Sequence, residues 1–123
     1  MHPGGRSEMP TVFVIARDWT LRTGVRAELR ERGVDALGME FVDDAGPAIA
    51  AGQMPAVIVL EATTEIAGNH IIETLVRRVP TILIASRSES VPLPPVDTVL
   101  YRPVRIREVV ARVNELLRRG TPA

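Results

Sequence analysis

Residues 96–119 read VDTVLYRPVRIREVVARVNELLRR, and this stretch decides the fold. It begins with a short β-branched apolar run at 98–101, which is typical of a buried strand. After Pro103 the apolar residues recur every three to four positions, which predicts an amphipathic helix that ends at Gly120. The buried stripe of that helix would consist of Ile106, Val109, Val110, Val113, Leu116 and Leu117. The sequence therefore predicts a strand followed directly by a well-packed helix.

Four further runs predict the other strands. Three of them are nearly continuous in apolar residues, as expected for strands that are covered on both faces. The fourth mixes polar residues and a glycine into its apolar positions, which predicts an edge strand. The three continuous runs are 11–16 (TVFVIA), 56–60 (AVIVL) and 81–85 (TILIA), and the weaker run is 34–39 (VDALGM).

Helical patterns separate most of these strands. The first predicted helix begins near Trp19 with Asp18 as its cap and ends at Gly33. A short second helix is predicted around 47–52, capped by Asp43 or Asp44, and a third helix over 65–78. Strands that alternate with helices in this way predict a parallel sheet with right-handed crossovers.

The fourth crossover differs from the others. Residues 86–96 read SRSESVPLPPV, with prolines at 92, 94 and 95 that forbid a regular helix. We therefore predict an α/β fold of the flavodoxin-like type, a doubly wound five-stranded parallel sheet of order 2-1-3-4-5. In this fold the proline-rich loop would replace the fourth helix.

The composition predicts one globular domain in 123 residues. The 15 basic residues, all of them arginine, balance 15 acidic residues, so no basic excess favours nucleic acid or a membrane surface as a partner. The absence of cysteine excludes disulfides and thiolate metal sites, which fits a cytoplasmic protein. Residues 1–10 lack the apolar core of a signal peptide, so we expect a short flexible leader followed by one domain over 11–120.

The chain resembles the receiver domains of bacterial response regulators. The resemblance is carried by the Arg-Pro and following helix of 96–119, by 12–34 (VFVIARDWTLRTGVRAELRERGV), by 55–62 (PAVIVLEA) and by 79–87 (VPTILIASR). It implies a signalling module whose phosphorylation site lies where the parallel strands end. In that family an acidic pair binds Mg²⁺, an aspartate accepts the phosphoryl group, and a hydroxyl residue and a lysine contact that group.

The family's functional residues are mostly replaced in this chain. At the acidic pair the match places an alanine and an arginine, Ala16 and Arg17. Asp18 follows directly after them. Glu61 corresponds to the phosphoacceptor aspartate. The hydroxyl residue corresponds to Ala85, with Ser86 next to it. The lysine corresponds to Arg102, which is followed by the expected Pro103. The aromatic switch residue of the family corresponds to Val99. The resemblance therefore implies a degenerate phosphorylation site without a metal or other cofactor.

Glu61 has two readings from the sequence. A guanidinium repels Mg²⁺, and the extra methylene of Glu61 displaces its carboxylate by about 1.5 Å, so phosphoryl transfer is disfavoured. One hypothesis is that Arg17 and Arg102 replace the metal and balance the charge of Glu61. The other is that Glu61 and the arginines are separately solvated at the surface.

Three functions follow from these observations. The first is a stand-alone, non-enzymatic pseudo-receiver that acts through phosphorylation-independent contacts with an unknown protein partner or in a homodimer through the last helix. Its contact residues would be Val91 and Leu93 in the proline-rich loop, with Val99 and Tyr101 on the last strand. The second is an anion or nucleotide binder that uses Arg17, Arg87 and Arg102. The third is a receiver with residual phosphotransfer.

Overall fold

The five predicted strands form one parallel sheet. The computed structural model describes residues 10–88 and 96–120, and its strands are β1 (Thr11–Ile15), β2 (Asp35–Met39), β3 (Val57–Glu61), β4 (Thr81–Ala85) and β5 (Thr98–Tyr101). Their order is β2-β1-β3-β4-β5, and each neighbouring pair is parallel. The predicted fold is confirmed, and β2 and β5 form the two edges of the sheet.

Helices cover both faces of this sheet. In the described residues they are α1 (Trp19–Glu31), α2 (Ala45–Ala50), α3 (His70–Arg78) and α4 (Ile106–Arg119), with short 3₁₀ turns at Val42–Asp44 and Thr64–Ile66. The helices α1 and α4 pack on one face, where their apolar residues contact alternate residues of the strands, and α2 and α3 pack on the other. Because successive strand residues point to opposite faces, the continuous apolar runs fill two separate core layers.

The third helix is shorter than predicted. Apolar periodicity suggested 65–78, but α3 begins at His70. Gly68 has a positive φ of 73°, which interrupts a helical path, and the side chain of Asn69 accepts a hydrogen bond from the backbone N–H of Ile72. The helix therefore starts where its first backbone amides find a cap.

The second helix also differs from its prediction. It spans Ala45–Ala50 instead of 47–52, and Pro47 lies in its first turn as expected. Asp44 lies at the N-cap position, but its carboxylate accepts a hydrogen bond from the backbone N–H of Phe41 at 3.3 Å. This aspartate therefore stabilises the preceding turn and does not cap the helix with its side chain.

The crossover from β4 to β5 is described only at its two ends. Residues 86–88 and 96–97 contain no helix, while residues 89–95, including Val91 and Leu93, lie outside the described part, as do residues 1–9 of the predicted leader. Across 10–88 and 96–120, every helix is too short or too polar to span a lipid bilayer.

Candidate functional site

Three strand ends converge at the carboxyl edge of the sheet. Glu61 is the last residue of β3, Arg102 directly follows β5, and Arg17 and Asp18 form the connection from β1 to α1. Parallel strands bring such residues to one edge because their carboxyl ends all point the same way. The convergence that we predicted for Glu61 and Arg102 is thus present in the fold.

Both carboxylate oxygens of Glu61 are engaged. Oε1 accepts hydrogen bonds from the backbone amides of Arg17, at 2.7 Å, and Asp18, at 3.1 Å. Oε2 accepts a hydrogen bond from Nη2 of Arg102. The side chain of Glu61 is only 13% exposed. The carboxylate therefore joins the β1–α1 connection to the residue that follows β5.

Arg102 contacts two carboxylates at once. Its Nη2 donates to Glu61, and its Nη1 donates to Oδ2 of Asp18 at 3.3 Å. The other oxygen of Asp18 accepts from the backbone N–H of Leu21 at 3.2 Å and so caps α1, as the sequence predicted. A guanidinium suits this arrangement because its donors form a rigid planar fork.

A fourth residue, Arg22, bonds the residue at the start of the same β1–α1 connection. Its Nη1 donates to the backbone carbonyl of Ala16 at 2.7 Å. The path of its side chain passes Gly38 on β2, where an added Cβ would lie 3.2 Å from Cγ of Arg22. We did not predict this contact from the sequence, since it depends on the path of a long side chain past a glycine of the neighbouring strand. Ala16 itself is buried, with 2% exposure.

Arg17 does not have the role that we expected. Its guanidinium lies over the ring of Phe41, 5.1 Å from the centroid, and in residues 10–88 and 96–120 its side chain forms no ion pair with Glu61. The prediction that Arg17 balances Glu61 through its side chain is therefore wrong. Its backbone amide makes the contact instead. The face of an aromatic ring attracts a cation electrostatically, and an exposed ion pair would contribute little in its place.

The remaining predicted residues surround this network. Ala85, at the end of β4, is buried and accepts a backbone hydrogen bond from Arg102 at 2.9 Å. Ser86 follows it and is half-buried, and Pro103 follows Arg102 through a cis peptide bond.

Val99 and Tyr101 on β5 are 39% and 42% exposed, and the guanidinium of Arg87 lies 4.8 Å from the centroid of the Tyr101 ring.

The donor set does not fit a magnesium ion. Mg²⁺ requires near-octahedral oxygen ligands, whereas the two carboxylates of this edge, Asp18 and Glu61, are already joined by Arg102. Ala16 has no donor side chain, and Arg17 adds a positive charge. No group of three or more histidine, cysteine, aspartate or glutamate side chains is placed to hold a metal in the part of the chain that the structure describes.

Solved structures of response-regulator receiver domains are similar to this chain over nearly its whole length. The receiver domain of a Francisella response regulator matches with a TM-score of 0.72 and 21% identity, covering 91% of this chain and 99% of its own. The chain has the receiver fold. A receiver protein from Burkholderia phymatum gives a TM-score of 0.64 at 20% identity, covering 93% and 99% of the two chains. An orphan response regulator of H. pylori gives 0.65 at 16% identity, covering 88% and 96%.

The likeness is one of structure. No protein-family model matches the sequence, and no curated protein matches it. With identities of 16–21% among these three structures, the comparison establishes the receiver fold, and the chemistry of the strand edge has to be argued from the residues of this chain.

Proposed function

We propose that this chain is a pseudo-receiver, a signalling module that acts through protein–protein contacts without being phosphorylated. The observation that carries the proposal is the complete engagement of Glu61 by Arg102 and by two backbone amides. Its location in the cytoplasm stays a prediction from the sequence.

Phosphoryl transfer to Glu61 would require several changes at once. One carboxylate oxygen would have to leave either the backbone amides or Arg102 before it could attack a phosphorus atom. A phosphoryl group also needs a cation for its oxygens, and the guanidinium that is present already binds two carboxylates. This arrangement favours a site in which the bonds among Asp18, Glu61 and Arg102 take the place of Mg²⁺ and a phosphoryl group.

The geometry opposes the anion-binding alternative. The three arginines that would have to converge contact different partners: Arg17 lies over Phe41, Arg87 lies over Tyr101, and Arg102 lies between Asp18 and Glu61. An anion at this edge would also meet the two carboxylates. We therefore do not propose a second function.

Contact surfaces for a protein partner are available at this end of the molecule. Trp19 is 66% exposed at the start of α1, and Val99 and Tyr101 are exposed on β5. Exposed aromatic residues near arginines have the composition of protein interfaces. Val91 and Leu93, the other predicted contact residues, lie outside the described residues.

Labelling with a small-molecule phosphodonor tests the absence of phosphorylation. The protein is incubated with acetyl phosphate and Mg²⁺, with an authentic receiver domain in the same tube as a positive control, and intact mass is measured. We expect the control to gain a phosphoryl group and this chain to gain none. A matched variant that restores the family's acidic residues (Ala16→Asp, Arg17→Asp and Glu61→Asp) is expected to bind Mg²⁺ more tightly than the wild type. Labelling of the wild-type chain on Glu61 would overturn the proposal.

A further inference from the structure

The two edges of the sheet differ in their outward backbone groups, and the β2 edge has one such group bonded by a side chain. The carbonyl of Met39 accepts from the amide of Ala16, so that odd-numbered residues of β2 face β1 while Ala36 and Gly38 face outward. Nε of Arg26, on α1, donates to the outward carbonyl of Ala36 at 3.3 Å. A charged side chain of the same molecule therefore bonds one outward carbonyl of this edge, and charged side chains at an edge disfavour further strand pairing.

The outward backbone groups of β5 have no partner among the residues that the structure describes. The amide of Arg102 donates to the carbonyl of Ala85, so that alternate residues of β5 face β4 while Val99 and Tyr101 face outward. Across residues 10–88 and 96–120, no group forms a hydrogen bond with the outward N–H and C=O groups of these two residues. The strand itself, TVLY, carries no charged side chain of the kind that normally protects an edge, although the guanidinium of Arg87 lies over the Tyr101 ring.

We propose that β5 pairs with β5 of a second copy of this chain in antiparallel orientation, which would join two five-stranded sheets into one. In the register that uses all outward groups, Val99 lies opposite the partner's Tyr101, and Leu100 lies opposite the partner's Leu100. Each Val99–Tyr101 pair exchanges two hydrogen bonds, so the twofold arrangement forms four.

A second copy fits this edge better than an unrelated strand because the edge is self-complementary. An aromatic residue opposite a β-branched residue is a favourable cross-strand pair, and the twofold axis creates that pair twice. The exposed faces of Val99 and Tyr101 lie on the same side of the sheet because alternate strand residues share a face. The formal net charge of zero means that two copies approach without net repulsion.

This pairing rests on the proposed function, since it names the partner of a module that works through protein contacts. It differs from a homodimer through α4, which we considered from the sequence, because main-chain hydrogen bonds of β5 would hold the two copies together. A four-residue strand offers a small interface, so the dimer should form reversibly with concentration.

The test combines sedimentation with amide exchange over a concentration series. The weight-average mass of the wild type should rise from one chain toward two between about 10 µM and 1 mM. Over the same series, the amides of Val99 and Tyr101 should exchange more slowly, whereas those of Thr98 and Leu100, which face β4, should not change. A chain that stays monomeric throughout, or a dimer in which the Val99 amide exchanges at a constant rate, would refute the pairing.

Variants at the outward position give a second readout. Val99→Pro removes an outward N–H without removing a ladder bond to β4, because proline is tolerated where a strand edge faces solvent. It should weaken dimerisation at least ~tenfold, and Val99→Thr, which keeps the β-branched shape and the N–H, should not. Should Val99→Pro fail to fold, Tyr101→Ser leaves the backbone donors in place and removes the cross-strand ring, and it should weaken dimerisation as well. Equal dimerisation by the wild type and the folded variants would contradict the pairing.

Acetyl phosphate and Mg²⁺ separate this inference from the proposed function. An unlabelled protein that never dimerises would refute the β5 pairing alone. A protein that takes the label and dimerises only when labelled would refute phosphorylation-independent action and keep the pairing. An unlabelled protein that dimerises through β5 supports both.

Discussion

At the scale of single residues, Glu61 acts as a structural connector. It ends β3, yet its carboxylate is bound by residues that follow β1 and β5. A shorter side chain would have to move toward the loop or toward Arg102 and could not keep all three contacts. These contacts give a glutamate at the end of β3 a structural role, which is the role that the proposed function requires of it.

Glu61→Ala should lower the free energy of unfolding by about 1–3 kcal/mol, because two backbone amides and a guanidinium lose their acceptor. Glu61→Gln should cost less, since its amide oxygen can still accept from Arg17 and Asp18. Urea denaturation followed by circular dichroism measures both. The matched control is Glu115→Ala, which removes an exposed pair with Arg112 and should change stability by about 0–0.5 kcal/mol. Equal losses for Glu61→Ala and the control would show that the network contributes nothing.

Arg102→Lys tests the fork geometry separately from the charge. An ammonium group is a point charge and cannot hold Asp18 and Glu61 in the planar arrangement of a guanidinium. We expect a loss of about 0.5–1 kcal/mol in the same unfolding assay. Arg112→Lys, at an exposed pair on α4, should be neutral within error. A neutral Arg102→Lys would mean that charge alone maintains the network.

At the scale of elements, strands were easier to predict than helix boundaries and contacts. Four of the strands have continuous β-branched runs that no helix period imitates, and their ends agree with the prediction within a residue. The start of α3 was wrong because apolar periodicity carries through Ile66, and only the turn at Gly68 shows that the helix cannot begin earlier. The sequence signal for this turn is Gly68 followed by the capping residue Asn69, and apolar periodicity outweighed it in the prediction.

The site shows the same limit. The resemblance placed Glu61 and Arg102 together because parallel strand ends converge in any fold of this type. It did not place the side chain of Arg17 over Phe41, or the side chain of Arg22 against the carbonyl of Ala16, since both depend on the paths of long side chains across β2 and the residues that follow it. The path of a long arginine side chain depends on the folded surface around it, which the local sequence pattern does not describe.

The cap of α3 gives a prediction at this scale. Asn69→Ala removes the acceptor for the amide of Ile72 and the donor to Asp43, so it should destabilise the protein by about 0.5–2 kcal/mol. Asn69→Ser retains a capping oxygen and loses only the bond to Asp43, and it should recover most of that loss. Thermal unfolding of the three proteins decides the matter. If serine fails to recover any stability, the bond to Asp43, and not the cap, is what positions α3.

At the scale of the whole molecule, the sheet separates two core layers. Ile84 belongs to the layer under α1 and α4, and Ile72 belongs to the layer under α2 and α3; both are fully buried. Close packing makes each layer sensitive to the loss of a single methyl group. The sheet between them limits direct contact, so each layer should respond separately.

Ile84→Val and Ile72→Val should each cost about 0.5–1.5 kcal/mol. Their effects should add within about 0.5 kcal/mol in the double variant, since the two side chains share no partners across the sheet. Chemical denaturation of the wild type, both single variants and the double variant measures the coupling. A larger coupling energy would indicate that the backbone of the sheet transmits strain from one layer to the other.

The guanidinium of Arg102 is a cation that the chain carries with it. A bound ion leaves when a chelator or a competing protein removes it from solution, but a side chain is always present at its own site. Under the proposed function, neither the supply of divalent ions nor the supply of phosphodonors would alter the contacts among Arg102, Asp18 and Glu61. The number of copies in the cell would then regulate the module, because a weak self-association through β5 depends on concentration.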